Sequence, residues 1–176
     1  MRELVSMNPK TSEIPLFNLA SISKFHTWTH ACLALVLDHL STLPAAAYTQ
    51  ELPGFGFPDL RAQVVHVFNC ESFWIHTLRS ASFRDRDPAS CASISAAREL
   101  QHQVMQQTIA YLSRLTEEQL NTGSELHFSD GDTAVRTPAL VLHHVFTHAF
   151  HHKGQIVAMC RVLGHPAPDT DLNQFE

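Results

Sequence analysis

From Thr137 to Gly164 the chain holds a single uninterrupted helical period, and this stretch sets the terms for the rest of the fold. Thr137 and Pro138 read as a cap and a first-turn proline, and Gly164 as a stop. The roughly 26 residues between them span about 39 Å at 1.5 Å each. A helix of that length needs partners of similar length to cover its apolar side. Its middle reads His144-Val-Phe-Thr-His148-Ala-Phe-His151-His152-Lys153-Gly154-Gln155, and five of the thirteen histidines of the chain fall between positions 143 and 152.

Three further segments supply those partners. The first runs from about Leu16 to Leu43, with Leu33, Val36, Leu37 and Leu40 at i, i+3, i+4, i+7 and Pro44 as its stop. The second runs from Asp59, a cap after Pro58, to Ser80, with Leu60, Val64, Val67, Trp74, Ile75 and Leu78 on one stripe. The third, Ser93 to Arg114, is the most polar, and one side of it is expected to face water. Between them, Glu51–Pro58 and Phe83–Cys91 read as loops. Asn121–Arg136 contains Ser129-Asp130-Gly131-Asp132 between β-capable pieces, which fits a short hairpin or an irregular loop before the last helix. The tail from His165 to Glu176 reads as an irregular strap. With 176 residues and 44% hydrophobic content the chain is large enough for one core. The expectation is an all-α, up-down-up-down four-helix bundle occupying residues 1–176 as a single domain.

Charge and composition exclude other classes. A net charge of −5 with no basic stripe argues against nucleic acid as a partner. No stretch approaches the roughly 18 to 20 apolar residues of a membrane span. Met1–Pro15 lacks the pattern of a signal peptide, so a cytoplasmic protein is expected. Cys32, Cys70, Cys91 and Cys160 form no C-x-x-C pair and are expected to be reduced and buried.

The helical repeat sorts the histidines. At about 100° per residue, with His144 at zero, the apolar stripe of Val141, Val145, Ile156, Met159 and Leu163 centres near 90°. His152 falls at roughly 80° and His148 at roughly 40° on the same wheel. His144 and Gln155 lie at the edge of the stripe, His151 slightly further out, and His143 well off it. Imidazoles at i and i+4 on an inward face can close on one divalent cation, whereas an isolated inward histidine is explained by hydrogen bonding alone. A third ligand has to come from another helix. The candidates are His26, His30, His39, His66, His76 and His102. In an up-down-up-down bundle the second and fourth helices run the same way, which puts His66 near the height of His148 and His152 and His76 well below them. Yet His66 lies off the densest apolar stripe of its own helix, beside Ala62, Cys70 and Phe73.

The run His144-x-x-x-His148-x-x-x-His152-Lys153-Gly154-Gln155-Ile156 resembles the last-helix signature of the DinB/YfiT-like proteins, which are bacterial four-helix bundles described as metal-dependent hydrolases. Val64 to Trp74 resembles their second-helix motif, in which a histidine precedes an aromatic residue by eight positions. Phe25-His26-Thr27-Trp28 and Leu163-Gly164-His165-Pro166 are also similar, so the resemblance covers nearly the whole chain. It implies a metal triad of His66, His148 and His152, a nickel or zinc ion, and a homodimer. It also implies reactions on small molecules, including transfers that use low-molecular-weight thiols such as bacillithiol, mycothiol or glutathione.

One departure narrows the chemistry. The second position of His148-x-x-x-His152 is Ala149, where a zincin-type peptidase needs a glutamate base. A three-histidine centre with an open position supports either hydrolysis or thiolate binding. His144 and Gln155 are candidates to orient ligands or substrate. Cys70 is a candidate soft ligand or a buried structural thiol. Glu71 is a candidate neighbour of the site or a solvated surface charge. The leading expectation is a metal-dependent hydrolase or thiol S-transferase acting on a small molecule. The alternative is a non-catalytic metal-binding stress-response module whose metal only stabilises a dimer.

Overall fold

The computed structural model describes residues 17–175, so the readings of Met1–Pro15 and of Leu16 lie outside the described residues. Four long helices make the bundle: α1 (Leu19–Leu40), α2 (Leu60–Leu78), α3 (Ile94–Leu112) and α5 (Pro138–Val162). A short α4 (Glu117–Asn121) and a two-stranded hairpin, β1 (Ser124–His127) with β2 (Thr133–Arg136), precede the last helix. Local chemistry sets the helix ends. Asn18, Asp59, Ser93 and Thr137 each cap a helix by accepting a backbone N–H three residues on. At the far end of α5, Gly164 takes φ +81, and His165 N–H returns to the carbonyl of Cys160 (2.8 Å), a Schellman closure.

The expected alternation of helix direction does not hold. Along α5, Gln155 meets Gln63, His148 meets His66 and His144 meets Trp74, so α2 and α5 are antiparallel. Phe25 packs on Phe146 while His39 donates to the carbonyl of His165, so α1 and α5 are parallel. Gln101 donates to the carbonyl of His30, and Arg98 pairs with Asp38 further up α1, so α1 and α3 are antiparallel. The order of directions is therefore up-down-down-up, with α1 and α2 on one diagonal and α3 and α5 on the other. The segment after α2 makes this possible. Asn69, midway along α2, both donates to the carbonyl of Arg86 (2.9 Å) and accepts its N–H (3.1 Å). The chain is thus drawn back along α2, so α3 starts again beside the first half of that helix.

Two apolar clusters fill the interior. One joins the second half of α1 to the first halves of α2 and α3 and the second half of α5. The other gathers Ile22, Ile75, Leu112, Leu142 and Phe146 at the opposite end. Cys32, Cys91 and Cys160 are buried, Cys70 is partly exposed, and all four are unpaired. The C-terminal strap is pinned by Lys153, whose buried ammonium donates to the carbonyl of Thr170 (2.7 Å) and to Asp171 (3.0 Å). Among the described residues no helix is long and apolar enough to cross a membrane.

Candidate metal centre

Antiparallel packing of α2 on α5 brings His66, His148 and His152 together. One ring nitrogen from each lies within 4.8 Å of the others, and Nε2 of His66 is 3.1 Å from Nε2 of His148. The three ring centroids are 4.4 to 4.9 Å apart. His66 does not meet the other two through parallel helices at matching heights. In the antiparallel pair His66, in the first half of α2, reaches His148 and His152, which flank the middle of α5. His152 is buried, while His66 and His148 are half-buried, so the cluster is open on one side. Phe57 covers another side, its ring stacked 4.0 Å from that of His66. The loop that carries it is closed by Leu52 N–H on the carbonyl of Pro58 (2.7 Å).

A residue that helical periodicity does not single out orients the cluster. Gln63 is fully buried, and its amide nitrogen donates to the carbonyl of Phe57 (3.2 Å) and to Oε1 of Gln155 (2.7 Å). A main-chain carbonyl only accepts, so the orientation of the Gln63 amide is fixed. Its Oε1 must then accept the Nδ1–H of His152 (2.8 Å). That tautomer leaves Nε2 of His152 with a free lone pair, the arrangement a metal-ligating histidine needs. Gln155 continues the chain by donating to Nε2 of exposed His151 (2.8 Å). The signal for Gln63 was a polar side chain three residues before His66 in a run otherwise apolar.

The electrostatics favour neutral rings. Burial lowers the proton affinity of His148, with help from His152, and holds its pKa at about 4. Burial and His66 do the same for His152, also to about 4. His66 is lowered as well, by burial and by His148, against an opposing pull from the Asp85 carboxylate. Three neutral imidazoles, one held in the required tautomer, form a donor set that fits a borderline divalent ion such as zinc or nickel.

The other candidates are placed elsewhere. His144 is exposed, its ring 5.8 Å from that of His148 and edge-on to Trp74. Gln155 bonds to Gln63 and to His151, the two neighbours of His152, rather than lying among the converging donors. Cys70 is not among the converging donors, and burial pushes its thiol up to about 12, far from the thiolate a soft ligand requires. His39 and His76 are spent on main-chain carbonyls, and His102 is exposed. Glu71 is neither beside the triad nor a surface charge. It is 2% exposed and accepts from His26 (2.9 Å), His30 (3.0 Å) and Thr108 (2.6 Å), which bind its carboxylate to α1 and α3. Those partners, His30 foremost, outweigh desolvation and hold its pKa well below the carboxylate range. Ala149, where a peptidase base would sit, is buried in the apolar core.

The sequence model of the DinB family matches residues 21–176. Protein DinB of Bacillus subtilis (strain 168) is 24% identical over 148 residues, covering 80% of this chain and 84% of that protein. A crystal structure of a conserved protein from Enterococcus faecalis superposes with a TM-score of 0.61 at 16% identity, over 82% of this chain and 96% of that one. At that identity the superposition speaks for the fold alone.

Proposed function

The chain belongs to the DinB family, and on that premise we propose that His66, His148 and His152 hold one divalent cation, nickel or zinc, in an enzyme acting on a small molecule. The observation that carries the reading is the hydrogen bond from His152 to Gln63, which leaves the Nε2 lone pair free on a ring that lies 4.4 Å from that of His148 and 4.5 Å from that of His66. Bound there, the cation supplies a Lewis-acidic position open to an oxygen or sulfur donor. His66 and His148 line the open side. Phe57 shields the centre from the other side, and Gln63 keeps one ligand in the right tautomer. No carboxylate belongs to the donor cluster, and Ala149 cannot take a proton. Hydrolysis through a base at that position is therefore disfavoured. A reaction whose nucleophile would lose its proton to solvent on binding the cation, such as transfer to a low-molecular-weight thiol, fits better.

The test begins with metal. Full-length protein purified after expression with zinc or nickel is expected to carry about one equivalent, and His148→Ala to carry none while keeping its helical circular dichroism. Equal metal content in the two proteins would sink the reading. If His148→Ala loses metal yet retains the thiol-transfer or hydrolytic activity found by screening, the cation stabilises the bundle and takes no part in the reaction.

A further inference from the structure

A crevice of about 620 Å³ opens where the end of α2, the segment that follows it and the hairpin meet. Phe73, Phe83 and Phe128 give it apolar walls, and Thr77, Ser80 and Asp85 add polar atoms to its lining. The rings meet at different angles: Phe83 stands at 73° to Phe73, whereas Phe128 lies nearly parallel to Phe73, at 19°. Walls that present both ring edges and ring faces are suited to an aromatic guest.

The crevice lies in line with the three imidazoles. His66, Cys70, Phe73 and Thr77 follow one another at i, i+4, i+7 and i+11, so they share one face of α2. All four are partly exposed. Seven residues of helix separate Phe73 from His66, about 10 Å along the axis. Trp74 spans the same interval from the side, edge-on to His144 (5.4 Å) and to Phe128 (6.0 Å), and His144 in turn lies next to His148 (5.8 Å). Asp85 adds a carboxylate to the crevice lining. Ser80 ends α2 at φ +50, a conformation that glycine adopts without cost, and it keeps a hydroxyl side chain in the crevice lining.

We propose that this crevice receives the aromatic body of the small molecule whose donor atom reaches the three-imidazole centre. The substrate class is then an aromatic compound with a metal-seeking group, a thiol for example, set on the order of 10 Å from its ring, the distance that two helical turns impose. The inference rests on the metal reading of His66, His148 and His152.

Cobalt-loaded full-length protein is titrated with phenylbutanethiol and with butanethiol, following the sulfur-to-cobalt charge-transfer band. The measured quantity is the ratio of the two affinities, in which any general weakening of the centre cancels. Phenylbutanethiol is expected to bind about tenfold more tightly, the gain from covering roughly 60 Å² of ring. Phe128→Ser, in the exposed hairpin, and Phe73→Ser, on α2, should each bring the ratio below about threefold. Equal affinities for the wild-type protein overturn the crevice and leave the metal reading standing. A preference that survives in both variants overturns the placement of the ring. Bound cobalt with no band from either thiol shows that the donor does not reach the metal, and the proposal fails. No uptake of cobalt at all removes the metal reading and the proposal together.

Discussion

Gln63 has more influence on the centre than its single carboxamide suggests. It is fully buried, and each of its polar atoms has a partner whose role is dictated by the next: Phe57 only accepts, so Gln63 must donate there, so His152 must donate to Gln63. Replacing it with leucine keeps the volume and removes the device. His152 then loses its tautomer lock, and Nδ1 becomes an unpaired buried donor whenever Nε2 binds a metal. Gln63→Leu is expected to weaken zinc affinity by roughly 10- to 100-fold with little change in helix content, as measured by competition with a chromophoric chelator. An unchanged affinity would mean that the tautomer is held by something else. His148 and His152 were legible from periodicity because both lie on one helix and a single repeat orders them. Gln63 was not, because its meaning depends on Phe57 from a loop and on His152 and Gln155 from α5, and a linear pattern contains none of those pairings. His66 was legible only through the family motif, since its face is the thinner of the apolar faces of α2.

At the scale of elements, helix bounds and helix order were legible to different degrees. Caps such as Asp59 and Thr137, and stops such as Gly164, act over three or four residues, so the four long helices fall close to where their sequences put them. Direction is decided by connections. A loop from Arg79 to Ser93 can turn a helix round or carry the chain back past it, and the Asn69 clamp on Arg86 that selects the second outcome is a contact seventeen residues apart. Glu71 is the other long-range element contact. It joins three helices through one carboxylate, with His26 and His30 from α1 and Thr108 from α3. A charged position in a helical period reads as surface, and nothing short of the partner helices reverses that reading. Glu71→Ala leaves two imidazoles and a hydroxyl facing a void, and is expected to cost about 3 kcal/mol by urea denaturation. Metal held by His66, His148 and His152 should be unchanged, because Glu71 belongs to a separate group of donors with His26 and His30. A variant that lost its metal while staying folded would place Glu71 back at the centre.

For the whole molecule, the three imidazoles tie stability to pH. In the folded metal-free chain His148 and His152 take up protons only near pH 4, whereas in the unfolded chain they do so near 6.5. Between those values the unfolded state holds more protons than the folded one, so stability falls as pH drops. Their contribution is fully present above about pH 6.5 and has gone by about pH 4. Glu71 has the usual carboxylate sign: its folded value is depressed, so its contribution is complete above the ordinary carboxylate pKa and is lost at lower pH. The two effects separate by difference. The melting temperature of the metal-free protein should fall between pH 7 and pH 4.5, and a His148→Gln/His152→Gln double variant should lose a smaller fraction of it over the same interval. Added zinc should raise the melting temperature of the wild-type protein at pH 7, because the metal binds only the folded arrangement, and should leave the double variant where it was. The zinc increment should persist well below pH 6.5, since protons compete for rings whose folded pKa is about 4. Identical slopes for the two proteins would mean that the rings titrate alike in the folded and unfolded chains. The centre would then be solvated in solution, and the neutral donor set on which metal binding depends would not exist at low pH.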